Sequence, residues 1–210
     1  MQPISERKGQ RESTFIEDAR RTQIVEGAIT VIAEHGYRNA SLARIAQHLG
    51  ISRGLISYHF SGKAELIAQV LVTVYTDAAA VMGVRVDAEQ TPAGRLEAYV
   101  RSNIDYIRDN PARMVAVSAI ITGGDIGNLP GIDHAAAAAQ MYGVLEEVFR
   151  EGQLRGEFRD FDVRVMARGV RALIDAVPTI VADENGIDAH TCAEELVTLI
   201  RLSTAKGSRS

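Results

Sequence analysis

The decapeptide ISRGLISYHF, residues 51–60, crowds Ser52, Arg53, Ser57, Tyr58 and His59 between apolar anchors directly after Leu49-Gly50. A guanidinium, several hydroxyls and an imidazole in so short a segment are hydrogen-bond donors, and they suit an oxygen-rich partner better than a buried helix face. Other chemistry finds less support. His35, His48, His59, His134 and His190 show no H-x-x-x-H or carboxylate-paired spacing, so no metal site and no cofactor is expected. No G-x-S-x-G or Cys/His signature appears, and Ser118, Asp133 and His134 form a triad on paper only, so the chain is not expected to be an enzyme. The glycine-rich stretch TGGDIGNLPG (122–131) resembles a phosphate cradle, but no β-branched strand precedes it.

Charge distribution sharpens the question of the partner. The net charge of the 210-residue chain is −4, yet residues 1–63 hold 9 Lys/Arg against 6 Asp/Glu, and the remainder holds 14 against 21. A basic head on an acidic body fits a polyanion that meets only the head. The apolar stretches around Ile67–Val74 and Ala112–Ile121 are too short and interrupted to suggest a membrane span. The N-terminus MQPISERKGQRE lacks the apolar core of a signal peptide. With a lone Cys192, expected to be a buried apolar residue, a cytoplasmic protein is expected.

The elements that must position the decapeptide are helical throughout. Residues 1–13 read as a flexible polar arm, and TFIE (14–17) has the spacing of a capping box at the start of a first helix closed by Gly36. Ser41 caps a short second helix, whose Leu42, Ile45, Ala46 and Leu49 share one face before Gly50 breaks it. Ser52 caps a third helix, and a long helix 4 is expected over about residues 63–82. Thr91-Pro92 and Asn110-Pro111 open two more at about 92–109 and 111–122. Asp133 opens a seventh to about Gln153, Asp160 or Asp162 an eighth ending at Pro178, and Asp188 a ninth to about Leu202. The expected class is all-α with about nine helices. A head over 14–62 is joined by helix 4 to a ligand-binding and dimerisation body over 63–203, followed by a polar tail, 204–210.

Two short helices separated by a glycine turn have the dimensions of a helix-turn-helix, whose second helix enters the DNA major groove N-terminus first. Ile51, Ile56 and Phe60 then anchor the helix, and Arg53, Gly54 and Leu55 face base edges. Arg53 pairs with guanine, Gly54 permits close backbone approach, and Leu55 meets a thymine methyl. Ser41, Arg44, Ser52, Ser57, Tyr58, His59 and Lys63 suit phosphate oxygens, which position the protein without reading sequence.

The segment EGAITVIAEHGYRNASLARIAQHLGISRGLISYHFSGKAEL resembles the DNA-binding domain of TetR-family transcriptional regulators. The matching features are the GY closing helix 1, a small residue then Ser before LARIAQHLGIS, and YHFSGKAEL leading into helix 4. The resemblance is specific over about residues 17–70, and beyond it only the layout agrees. It implies a repressor that binds a palindromic double-stranded operator as a homodimer and leaves it when a small organic effector enters the body. The family commonly carries Tyr where Ser57 stands, and that Tyr often touches DNA.

In the body, polar or soft residues within apolar stretches are the effector-pocket candidates: Tyr99, Asn103, Tyr106, Met114, Ser118, His134, Met141, Arg171 and Asp175. The broad apolar stripes of helices 8 and 9 point to an isologous four-helix dimer interface. Val163, Met166, Val170, Leu173, Ile174, Val177, Leu196, Val197 and Ile200 are its expected members. A helical protein-interaction scaffold that binds no DNA is the alternative reading, and an enzyme the least favoured one.

Overall fold

Helix-starting and helix-breaking residues set most of the architecture seen in the computed structural model, which describes residues 4–124, 126–182 and 186–206. Side chains are described from Ile16 onward, apart from His134, Ala135, Ala137 and Gln140. Among the described residues lie α1 (Ile4–His35), α2 (Leu42–Leu49), α3 (Arg53–His59), α4 (Lys63–Asp87) and α5 (Pro92–Asp109). They are followed by α6 (Pro111–Gly123), α7 (His134–Leu154), α8 (Val163–Ala182) and α9 (Ala189–Thr204). The described residues are all-α, with one 3-10 turn at Ile126–Asn128 and an isolated antiparallel bridge between Phe158 and Ala205.

Packing gathers the chain into two compact units. One comprises residues up to Val74 with Val115–Gly131, and the other Tyr75–Met114 with residues from Ile132 on. The charge-based partition at 62/63 is thus not the packing partition: the first half of α4 folds with the head, and so do the end of α6 and the loop after it.

In the first unit, Ser41 caps α2 by accepting the Arg44 N–H at 3.2 Å. Gly50 ends α2 at φ +66°, which returns the N–H groups of Gly50 and Ile51 to the carbonyls of Gln47 and Ala46. A side chain there would be forced into the left-handed region, so the turn to α3 requires glycine. Gly27 permits the close approach of α1 to α2, since a Cβ on it would stand 2.6 Å from the Leu49 side chain. Ile24, Ile32, Ile45, Ile56, Phe60, Leu66 and Ile67 fill the core beneath.

The second unit is built on α5, α7, α8 and α9, with Phe149 at its centre against Phe158 and Phe161. Arg101 of α5 forks onto Glu194 of α9 at 2.5 and 3.1 Å, and Arg95 of α5 meets Glu151 of α7 at 2.9 Å. Cys192 is buried, and burial pushes its thiol up from the ordinary range.

Three expectations about element limits are corrected. The helix α1 begins at Ile4, not at Thr14, so the flexible arm does not extend over residues 4–13. The stretch is rich in Glu, Arg, Lys and Gln, which propagate a helix readily, and it contains no proline. The eighth helix does not stop at Pro178 but continues to Ala182. That proline forgoes a backbone bond, yet Val177 before it is wholly buried and holds the turn in place. Finally, α4 runs on to Asp87 and is by length and composition apolar enough to cross a membrane, contrary to the sequence estimate. Its apolarity has another use, because Leu66, Ile67, Val70, Leu71 and Val74 are buried in the core of the first unit.

Candidate nucleic-acid interface

The helix α3 is seven residues long and is fixed from beneath. Ser52 caps it by accepting the Leu55 N–H at 3.1 Å, and Ile56 and Phe60 are buried with at most 1% of their surface exposed. Sequence fixes which side remains: Arg53, Gly54, Ser57 and Tyr58 are exposed, while Leu55 and His59 are half-buried. Arg53 is the first helical residue. A cation there opposes the helix dipole, so local helix stability does not account for it.

Residues distant in sequence clamp the other end. The Arg21 guanidinium stacks on the Phe60 ring at 4.3 Å and donates to the His59 carbonyl, a group left without a partner inside α3. Its second amino group lies 3.8 Å from Glu65. Glu65 accepts the Ser61 N–H at 2.7 Å, and the bonds from Ser61, aided by Arg21, hold its carboxyl below the usual carboxylate range. One arginine on α1 thus ties the end of α3 to the start of α4.

The expected phosphate contacts fall into distinct classes. Arg44 and Ser57 are exposed. The Ser41 and Ser52 hydroxyl oxygens are engaged as helix caps. Lys63 donates to the Tyr37 carbonyl at 2.6 Å, with its ammonium 4.4 Å from the centre of the Tyr37 ring. Burial there lowers its pKa. Tyr58 lies edge-on to His59 and donates its hydroxyl to Glu17 of α1 at 3.4 Å. Sequence reasoning missed Arg21, Glu17 and Tyr37, whose partners lie 38, 41 and 26 residues away and leave no local signal.

Residues 24–70 match the model of the family described as bacterial regulatory proteins, tetR family. The head of this chain belongs to the TetR family. That family is one of regulatory proteins, not of enzymes. Two curated relatives share a comparable stretch with the chain. BetI, an HTH-type transcriptional regulator of Serratia proteamaculans, is 31% identical over 97 residues, 45% of this chain and 49% of the relative. BetI of Burkholderia ambifaria is 35% identical over 89 residues, 42% of this chain and 46% of the relative. The matches therefore span about half the length of these relatives.

Beyond the head the likeness is one of fold. A tetR-family regulatory protein from Rhodococcus RHA1 superposes with a TM-score of 0.76 at 20% identity, over 90% of this chain and 98% of that one. KstR2 of Mycobacterium tuberculosis, a ketosteroid transcriptional regulator, gives 0.68 at 21% identity, over 90% and 96%. AibR, solved with isovaleryl coenzyme A and operator DNA, gives 0.73 at 21% identity, over 86% and 97%.

In the second unit of the chain, four effector candidates come together. Arg171 bonds Asn103 at 2.9 Å and Asp175 at 2.8 and 2.5 Å, and Asn103 in turn donates to the Tyr99 carbonyl at 2.8 Å. Tyr106 is buried elsewhere on α5, beside a 340 Å³ cavity lined by Asp77, Arg85, Asp105 and Arg113. Met114 packs on the core and Met141 is half-buried. Ser118 is exposed and belongs to the first unit, which removes it from this group, and the side chain of His134 lies outside the described residues.

The apolar stripes of α8 and α9 are corrected in their direction. Val170, Ile174, Val177, Val197 and Ile200 are buried within the protomer's own core, and Val163, Met166 and Leu196 pack against it. Only Leu173 of the expected interface is exposed. The outward stripe consists instead of Val165, Leu173 and Ile180 on α8 with Leu199 and Leu202 on α9.

Proposed function

We propose that the chain is a sequence-specific DNA-binding transcriptional regulator that acts in the cytoplasm as a homodimeric repressor and is released from its operator by a small organic molecule. The observation that carries this is α3: anchored by Ile56 and Phe60, clamped by Arg21, and presenting Arg53, Gly54, Ser57 and Tyr58 outward. Arg53 to Leu55 read bases, and Arg44, Ser57 and Tyr58 contact phosphate, as do Ser41, Ser52 and His59 through their free polar atoms. Lys63 joins them once it leaves Tyr37. The exposed apolar stripe of α8 and α9 supports pairing with the same stripe of a second copy. The complex of AibR with a coenzyme A thioester and operator DNA supports effector control on this fold.

Selection of duplexes from a random pool by the full chain tests the reading. The expected product is a pseudo-palindrome with half-sites roughly one turn, 34–36 Å, apart, bound with strong salt dependence. Enrichment of no sequence would overturn it and favour the scaffold.

A second result follows from the pair formed by Tyr58 and Glu17. The Glu17 carboxylate stands beside a proposed phosphate contact and repels the same phosphate. Glu17→Gln is expected to tighten operator binding by about fivefold at low salt, the equivalent of roughly 1 kcal/mol for one charge pair at 4 Å in water. The gain shrinks as salt rises, because the pair is exposed. Fluorescence anisotropy at two salt concentrations reads both effects.

A further inference from the structure

Arg171 lies on α8 with only 15% of its side chain exposed, bonded across to α5 through Asn103. Removing a guanidinium from water is costly, and a pair four residues apart on one helix forms equally well at the surface. What holds Arg171 inward is Asn103, itself buried, which accepts from Nη1 while donating its amide to the Tyr99 carbonyl at 2.8 Å. The opposite edge of the guanidinium is occupied differently. Nε and Nη2 both converge on the single oxygen Oδ1 of Asp175, at 2.8 and 2.5 Å. That edge is a fork suited to two carboxylate oxygens, and Asp175 offers it one. The Asp175 side chain is 56% exposed, so it can turn into water at little cost. Tyr75 of α4, two-fifths exposed, feels the charges of both Arg171 and Asp175.

We propose that the Nε/Nη2 edge of Arg171 anchors a site for a small organic carboxylate, which takes the place of Asp175 and lays its apolar part toward Tyr75. The inference rests on reading the second unit as the effector-receiving body, and it names the chemical class received. Burial pulls the Arg171 guanidinium down, but its bonds to Asp175, aided by Tyr99, more than reverse this, so the anchor stays charged. Burial raises the Tyr75 phenol, which therefore stays neutral and adds no competing anion.

The test is calorimetric titration of the full chain with benzoate and octanoate, each against its neutral amide. The acids should bind and the amides should not. Asp175→Asn keeps the shape and removes the competing charge, so it should tighten both acids roughly tenfold, the scale of one charge-assisted hydrogen bond. Arg171→Lys keeps a cation but loses the fork and should weaken them at least about tenfold. A merely structural pair predicts no gain from Asp175→Asn, and that result, or equal binding of acids and amides, overturns the site. Operator affinity measured alongside separates the two readings. If the acids bind as stated and the operator is not released, the site stands and effector release falls. If the operator is released by a molecule whose affinity neither variant changes, release stands and the carboxylate site falls.

Discussion

Arg53→Ala is expected to lower affinity for the selected operator by about 5- to 150-fold per half-site, the range of 1–3 kcal/mol for one bidentate arginine–guanine pair. Binding to unrelated duplex should change far less, so the ratio of specific to non-specific affinity collapses. The structure separates this from a folding defect. Arg53 is exposed at the first position of α3, and the helix is held by Ile56, Phe60 and the Ser52 cap, none of which the substitution touches. Removing a cation from a helix N-terminus relieves an unfavourable interaction with the helix dipole, so thermal stability should hold or rise by a few tenths of a kcal/mol. Loss of specificity together with loss of stability would point to a structural role and sink the assignment. Arg44→Ala is the natural control, since a phosphate contact weakens all sequences alike and lowers the salt slope by about one.

The features legible in the sequence are those whose chemistry is local. Ser41, Ser52, Thr91 and Asp188 cap helices as expected because an N-cap needs only its own side chain and an amide a few residues on. Gly50 was legible for the same reason. Arg21 was not: its guanidinium is spent on the His59 carbonyl and the Phe60 ring, and nothing near residue 21 announces either partner. The same holds for Lys63, whose exposed-looking place at the start of α4 conceals a bond to Tyr37.

The dimer stripe shows a different limit. Along α8 the sequence is apolar on two sides, with Val170, Ile174 and Val177 facing the core and Val165, Leu173 and Ile180 facing out. Periodicity marks both stripes and cannot say which one the protomer uses. The inward one is recognised only when α5, α7 and α9 are in place around it. A helix apolar on both sides needs a second cover, so the correction moves the proposed interface to the other stripe and strengthens the case for a partner.

Phe149→Ala is expected to destabilise the second unit by about 3–5 kcal/mol. Phe149 has none of its surface exposed, and its ring meets Phe158 at 6.0 Å and Phe161 at 5.3 Å, both edge to face. Both partners belong to the segment joining α7 to α8, which Gln153 ties down through the carbonyls of Arg159 and Phe161. That segment also holds the end of α9, since Arg159 donates to the carbonyls of Ser203 and Thr204. The space cannot be refilled from below, because Phe158 already lies so close to Gly152 that a Cβ there would be 2.1 Å from its ring. A cavity therefore remains, and the melting temperature of this unit should fall by roughly 10–20 °C. Scanning calorimetry of the full chain reads the shift, and a fall of only a few degrees would show that the ring is not central to the packing. The same variant should weaken operator binding although it lies outside the head, because α8 and α9 carry the stripe proposed to pair two copies. Val165→Asp places a charge on that stripe without opening the core. It should abolish the dimer, read by light scattering, while leaving the melting of the second unit largely intact. If both variants lose DNA affinity and only Phe149→Ala loses stability, the requirement lies in dimerisation itself, not in the integrity of the body.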